Sequence, residues 1–401
     1  MHCVRKVTED LWWVGGSDRR LSRFENIHPL PQGISYNSYL LLDEKTVLFD
    51  TVDWAIGRQF LENVKYVLNG RPLDYLIINH VEPDHAAAIE EILLRWPDVR
   101  IVTTAKSVQM MGQFGFPVND RVEAVKERDT RSFGKHHVTF YCAPMVHWPE
   151  VMVTFDETNG VLFSADAFGT FNALNGVLFN DEVDFDRDWM EAARRYYTNI
   201  VGKYGGQVQT LLKKLANVPI RYICSLHGPV WRSNISSILE KYDKWSRYEP
   251  EENGVLIVYA SMYGNTEAAA CSVATALAER GMTNYSMYDV SGTHISYLIA
   301  ESFRYSHIVL ACVTYNLGIY PPMLSYLEDM KALNLQNRTF ALVENGSWAR
   351  RSGDLMAQFL GGMKNMSVLD SRLAITSSLA EDCAPAVDSF AEAILSSLKK
   401  E

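Results

Sequence analysis

The chain has 401 residues, 47% of them apolar and 21% charged, with a formal net charge of −10. That length suits two or three domains with cores of their own, and the negative charge argues against a nucleic-acid partner or an anionic membrane surface. No apolar run approaches the roughly 20 residues of a membrane-spanning helix, the first residues lack a signal peptide's apolar core, and six scattered cysteines with no CxxC pair predict free thiols in a reducing cytoplasm.

Short strands are predicted over 11–14, 38–42 and 46–50, the last two joined by a turn at Asp43-Glu44-Lys45. A helix from about 55 to 68 leads to the apolar run 75–78, which reads as a buried strand. His80-Val81-Glu82-Pro83-Asp84-His85 follows, then a helical stretch over 86–94. More strands are expected at 101–103, 138–141, 152–155 and 161–164, and 186–216 reads as largely helical. Strands with flanking helices predict two sheets sandwiched between helices. A charged stretch with Pro and Gly, 246–254, reads as a domain linker. Beyond it the rhythm alternates: a strand at 255–259, a helix over 267–279 closed by Gly281, strands at 307–312 and 339–343, and an amphipathic helix over 385–398. Repeated βα units predict an open, doubly wound parallel sheet. The fold class is therefore α/β, with domains at 1–247 and 254–401.

Four of the six residues in the 80–85 stretch are metal-ligand types, and a strand-to-helix loop presents them at the end of a sheet. Three more candidates stand after strands or apolar runs: His147 in Met145-Val146-His147-Trp148-Pro149, Asp166 after 161–164, and His227 in Leu226-His227-Gly228. One His or Asp in such a place is usually a capping or hydrogen-bonded residue. Seven of the right types, all at strand ends, predict a metal site. The carboxylate share favours iron over a structural, thiolate-type zinc site. The other histidines (His2, His28, His136, His137, His294, His307) lack this context and are expected to be structural or surface residues.

This pattern resembles the di-iron domain of flavodiiron proteins (A-type flavoproteins), which share the metallo-β-lactamase αββα fold. Zinc hydrolases of that fold carry HxHxDH where this chain has Glu82. The resemblance implies one iron on His80, Glu82 and His147, a second on Asp84, His85 and His227, and Asp166 bridging them. At Phe24-Glu25-Asn26 many similar proteins carry a His in place of Glu25. Glu25 is therefore a candidate for proton supply or substrate preference, with an added ligand or a surface group as the alternatives.

In the second domain, Ser261-Met262-Tyr263-Gly264-Asn265-Thr266 links a strand to a helix and can wrap a phosphate with backbone N–H groups and hydroxyls. Two further strand-end loops, Thr314-Tyr315-Asn316-Leu317-Gly318 and Asn345-Gly346-Ser347-Trp348-Ala349, offer aromatic surfaces for a flat ring. This half resembles a flavodoxin domain binding FMN, although Arg350 and Arg351 depart from the usual Gly-rich third loop. The resemblance implies an oxidoreductase that passes electrons from FMN to a non-haem di-iron centre and reduces dioxygen to water, nitric oxide to nitrous oxide, or both. It further implies a head-to-tail homodimer, or a tetramer built from it, and an external donor such as a rubredoxin or its reductase, since no CxxC-bearing rubredoxin module is present. A zinc hydrolase with a regulatory flavodoxin-like domain is the alternative.

Overall fold

A computed structural model describes residues 2–116 and 121–399; Met1, residues 117–120 and the last two residues, which the domain extents above include, lie outside the described residues. The chain divides into two compact units, Met1–Asp243 and Lys244–Glu401.

The first unit is built on a seven-stranded and a five-stranded sheet. In the larger, Tyr39–Leu42 and Thr46–Phe49 form an antiparallel hairpin, and Tyr75–Ile77 runs parallel to both Thr46–Phe49 and Arg100–Thr104. In the smaller, His137–Cys142, Met152–Asp156 and Val161–Phe163 form an antiparallel meander, and Tyr222–Cys224 adds in parallel. The apolar faces of these strands meet: Phe49 of one sheet stacks on Phe163 of the other at 3.6 Å between ring centroids. Thr46–Phe49, Met152–Asp156 and Val161–Phe163 are buried on both faces, as sheets packed on each other and covered outside require. Parallel pairing has a further consequence for function. The carboxyl ends of Tyr75–Ile77, Val161–Phe163 and Tyr222–Cys224 lead straight into His80, Asp166 and His227.

One local expectation needs correction. The helix after Tyr75–Ile77 starts at Pro83, not at residue 86, so Asp84 and His85 belong to its first turn and only His80 and Glu82 to the loop. Proline at the first helical position presets the backbone angle and lacks only an N–H the helix leaves unbonded there. A second short helix follows at Ile89–Arg95. The strands Val122–Val125 and Thr130–Ser132 were not foreseen because their side chains are half-buried or exposed and carry no apolar alternation.

Away from the sheet ends, His136 is buried between two carboxylates, with Nε2 3.0 Å from Asp10 and Nδ1 2.9 Å from Asp156. Burial pushes this imidazole's pKa down, but the two carboxylates outweigh burial and hold it above its ordinary value. A raised histidine pKa adds stability that is complete below about pH 6.5 and disappears as pH rises through the folded value. The thermal midpoint of the first unit should therefore fall on the alkaline side of neutrality. In His136→Gln that slope should flatten, which a pH series of melting curves would record.

The second unit is a single sheet whose five main strands, Tyr285–Asp289, Glu252–Ala260, Tyr305–Tyr315, Arg338–Asn345 and Met366–Ile375, all pair in parallel in that spatial order. In chain order this is 2-1-3-4-5, the doubly wound arrangement with its switch point beside the first strand. Helices Asn265–Glu279 and Ala384–Leu398 cover one face, burying Val273, Leu277, Phe390 and Ile394 against Ile257, Val309 and Val343. The stretch expected as a linker is built into this unit. The first strand begins at Glu252, and the carbonyl of Tyr248 accepts a 2.7 Å hydrogen bond from the buried Arg338. Among the described residues no helix is long and apolar enough to cross a membrane.

Candidate metal centre and flavin cleft

All seven predicted metal residues are buried and brought together in the first unit. They form two groups, His80/Glu82/His147/Asp166 and Asp84/His85/His227, whose ligand atoms within each group lie within 4.8 Å of one another. In the first group His80 Nε2 and His147 Nε2 are each 3.1 Å from Glu82 Oε2, and they lie 3.6 and 3.0 Å from Asp166 Oδ2. In the second, Asp84 Oδ2 is 3.1 Å from His85 Nε2 and 3.3 Å from His227 Nε2, and the two nitrogens are 3.0 Å apart. The other Asp166 oxygen, Oδ1, faces this second group at 3.2 Å from His85 and 3.7 Å from His227. One carboxylate thus offers an oxygen to each side.

These spacings fit metal ions. A bond of about 2.1 Å places neighbouring ligand atoms roughly 3.0 Å apart at octahedral angles and about 3.4 Å apart at tetrahedral ones. Asp84 Oδ1 is buried without a partner, and Asp84 Oδ2 and Asp166 Oδ1 face only other candidate ligands, an arrangement that is costly for carboxylates with nothing to coordinate. The electrostatics agree. Burial alone would lower the histidines, yet the surrounding carboxylates hold His85 up at about 10, His147 up at about 9 and His80 well above its ordinary value. Burial likewise pushes Asp166 and Glu82 up, and the histidines outweigh it and bring both below the usual carboxylate range. A pocket this eager for positive charge favours divalent cations, which would displace protons as they bind.

Outer contacts hold the ligands in place. Glu150 meets His80 Nδ1 at 2.7 Å and accepts from the Val81 N–H at 3.1 Å. The carbonyl of Ser35 lies 2.7 Å from His227 Nδ1. Asp50 accepts from the backbone N–H of Asn79 at 2.7 Å and from its amide at 2.7 Å, fixing the loop that carries His80. Asp50 sits at a strand end like Asp166 and had the same signal in the sequence. Glu150 follows His147 by three residues, a weaker signal, and a carbonyl such as that of Ser35 has none. Gly228, next to His227, has φ +77°, and a Cβ there would collide with Thr170. Gly228→Ala should cost roughly 1–3 kcal/mol and displace His227. Metal analysis of the purified variant should find the Asp84/His85/His227 position depleted.

Glu25 lies in the left-handed region at φ 49°, with its carboxylate 3.8 Å from His28 Nε2. Burial and the charge of Glu82 push its pKa up to about 7. His28, expected to be structural, is buried beside this group.

In the second unit a cleft of about 380 Å³ opens at the carboxyl ends of the strands. Its lining includes Ser261, Met262, Tyr263, Asn265 and Thr266 of the first loop, Thr314, Asn316 and Leu317 of the second, and Asn345, Gly346, Ser347, Trp348 and Ala349 of the third. Gly264, Tyr315 and Gly318 belong to the same loops without lining the cleft. Gly264 takes φ +86° at the helix start, and the Tyr315 ring packs edge-on against Tyr320. Val313 and Ser377 also line the cleft and were not foreseen. The cleft suits a flavin. Asn345 Oδ1 is buried there without a partner. Trp348 and Tyr263 are each 89% exposed, so flat apolar surfaces stand ready to be covered.

Known proteins give a consistent comparison. Residues 34–228 match the ODP family beta lactamase model, and residues 257–368 match the flavodoxin model. An anaerobic nitric oxide reductase flavorubredoxin of Escherichia coli is 32% identical over 356 residues, covering 88% of this chain and 74% of the relative. The corresponding protein of Klebsiella pneumoniae is 31% identical over 356 residues, covering 88% of this chain and 73% of that relative. Among solved structures, the rubredoxin oxygen:oxidoreductase of Desulfovibrio gigas superimposes with a TM-score of 0.91 at 30% identity, covering 99% of both chains. The flavodiiron protein of Giardia intestinalis shares the fold with a TM-score of 0.89 at 23% identity, over 99% of this chain and 98% of that one. With a β-lactamase-like first domain, a flavodoxin-like second domain and relatives of this kind along nearly its whole length, the chain belongs to the flavodiiron protein family of oxidoreductases.

Proposed function

We propose that this protein is a cytoplasmic reductase of dioxygen, nitric oxide or both, working with one FMN and two non-haem irons per chain. The observation that carries the reading is the shared carboxylate. Asp166 faces both ligand groups, so two metal ions would sit side by side where a diatomic gas, or two of them, could be held. His80, Glu82 and His147 would hold one iron, and Asp84, His85 and His227 the other. Ser261, Met262, Tyr263, Gly264, Asn265 and Thr266 would wrap the FMN phosphate, while the loops at Thr314–Gly318 and Asn345–Ala349 would frame the ring. When bound, FMN and the two irons supply up to four electrons, enough to take dioxygen to water without releasing partly reduced oxygen. Glu82, where the zinc hydrolases of this fold carry a histidine, favours redox work over hydrolysis.

The protein's own residues contribute exclusion of water and handling of protons. His80, His85, Asp166 and His227 are fully buried, which strengthens every charge interaction inside. We assign Glu25 as the proton-holding group, because its carboxylate stands beside the candidate ligand Glu82 and 3.8 Å from His28 Nε2. Glu25→Gln should keep its iron and lose about 100-fold in turnover; unchanged turnover would remove Glu25 from the mechanism. Electrons would arrive from a separate rubredoxin or its reductase, and a head-to-tail dimer, or a tetramer made of two such dimers, would bring the FMN of one chain to the irons of another. A strictly monomeric yet fully active preparation in solution scattering would sink the dimer.

The test of the reading is anaerobic purification, iron, zinc and flavin counts, then consumption of each gas by the chemically reduced protein. Iron, FMN and consumption of at least one gas are expected. Zinc without iron, with hydrolytic activity, would replace the reading by the hydrolase alternative.

A further inference from the structure

The two ligand groups carry the same formal charge: each has one carboxylate of its own, Glu82 or Asp84, and a share of Asp166. They differ in what stands behind them. His80 turns its Nδ1 to Glu150 at 2.7 Å, and both side chains are wholly buried. The same Glu150 oxygen accepts from the N–H of Val81, midway between the ligands His80 and Glu82. Its backbone carbonyl accepts from Thr104 Oγ1 at 3.1 Å, so the residue is anchored at both ends. On the other side His227 Nδ1 meets only a neutral carbonyl, that of Ser35, at 2.7 Å, and His85 Nδ1 is buried with no partner.

From this asymmetry we infer that Glu150 is a positioning residue that makes the two metal positions unequal, tightening the His80/Glu82/His147 position against the Asp84/His85/His227 position. The inference rests on the two-metal reading above. The physical cause is twofold. A carboxylate behind Nδ1 keeps the imidazole proton on that nitrogen and leaves the Nε2 lone pair free toward Glu82 and Asp166, at 3.1 and 3.6 Å. It also places a negative charge one imidazole away from the ion, which raises the basicity of that ligand. The second oxygen of Glu150 is buried without a partner, so its charge is directed at His80 and Val81 alone. At His227 the Ser35 carbonyl can hold the Nδ1 proton but adds no charge, and His85 Nδ1 has no partner, so neither receives the added negative charge. The chain should therefore lose its metals in order, the Asp84/His85/His227 position first.

The experiment is metal release from the full-length, flavin-loaded protein into an excess of a ferrous-iron chelator under anaerobic conditions. Wild type should release two irons per chain in two phases of equal size. Crystals of half-depleted protein should show anomalous scattering at His80, Glu82 and His147. E150Q keeps an oxygen to accept from His80 and Val81 but removes the charge. Its slow phase should quicken about 10- to 100-fold while its fast phase stays put. E150D, which restores the charge on a shorter arm, should fall between. Residual metal at Asp84, His85 and His227, a single phase in wild type, or equal acceleration of both phases in E150Q would overturn the inference while leaving the two-metal reading intact. A starting content below two metals per chain, after iron loading, would overturn both. The wild-type phases and the E150D variant decide the matter even if E150Q does not fold.

Discussion

Asp166→Ala should empty both metal positions and reduce gas consumption about 100- to 1000-fold while the protein keeps its FMN. The carboxylate is fully buried, and its two oxygens face different ligand groups at 3.0 and 3.2 Å. No other residue among those described reaches both. Losing a bridging charge costs each ion several kcal/mol of stabilisation, and about 1.4 kcal/mol corresponds to a factor of ten. The change also leaves His80, His85 and His147 with one carboxylate fewer to oppose their positive charge, so their pKa values should drop back toward the ordinary range. Flavin absorbance and iron analysis on one sample separate the outcomes. Retained FMN with lost iron is expected, because every residue lining the flavin cleft belongs to the other unit. Full iron content in this variant would mean that Asp166 does not bridge.

The second large effect is on stability. Arg338→Ala should lower the stability of the flavodoxin-like unit by roughly 3–5 kcal/mol, the cost of breaking a buried charge network. That corresponds to about 10 °C in the melting of a unit this size. Arg338 is 1% exposed, and its guanidinium donates to the carbonyls of Ser302, Phe303, Tyr248, Gln336 and Asn337 at 2.7 to 3.0 Å. Removing it leaves several buried carbonyls without their donor and frees the 246–254 stretch from the sheet. Lysine should not rescue it, since one ammonium cannot reproduce a planar fork that reaches five acceptors. Release of FMN fluorescence on heating would report the transition. A melting temperature within two or three degrees of wild type, as for a surface substitution, would show that the network contributes little.

How much of this was visible beforehand follows from what each feature rests on. The seven candidate metal residues were legible because His80, Asp166 and His227 follow the carboxyl ends of short apolar strands, and Glu82, Asp84, His85 and His147 are ligand types in the loops and turns nearby. The doubly wound sheet was legible from its fully buried strands, such as Val255 to Val258 and Ile308 to Cys312, which read as continuous apolar runs. Its edges were not. Tyr285–Asp289 is half-buried throughout, and Met366–Ile375 carries Asp370 and Arg372 among its apolar residues, so neither shows a clean period. Asp84 and His85 read as loop residues because the apolar helical rhythm begins only at Ala86, whereas Pro83 starts the helix three residues earlier. The Tyr315 ring packs against Tyr320, a contact that its loop position does not announce. The contacts behind the ligands were the least visible. Glu150 reads in the sequence like any other glutamate, and its partner His80 lies 70 residues away.

The central claim is that FMN and a two-iron centre act together as one four-electron reductase. Its most direct test is a single turnover: fully reduced holoprotein, titrated anaerobically with known amounts of dioxygen and, separately, of nitric oxide. Reoxidation of both the flavin and the irons is expected from one dioxygen per chain, giving water and no hydrogen peroxide, or from two pairs of nitric oxide molecules, giving two nitrous oxide and two water. Flavin that reoxidises with stoichiometric peroxide while the irons stay reduced, with nitric oxide left unconsumed, would contradict it.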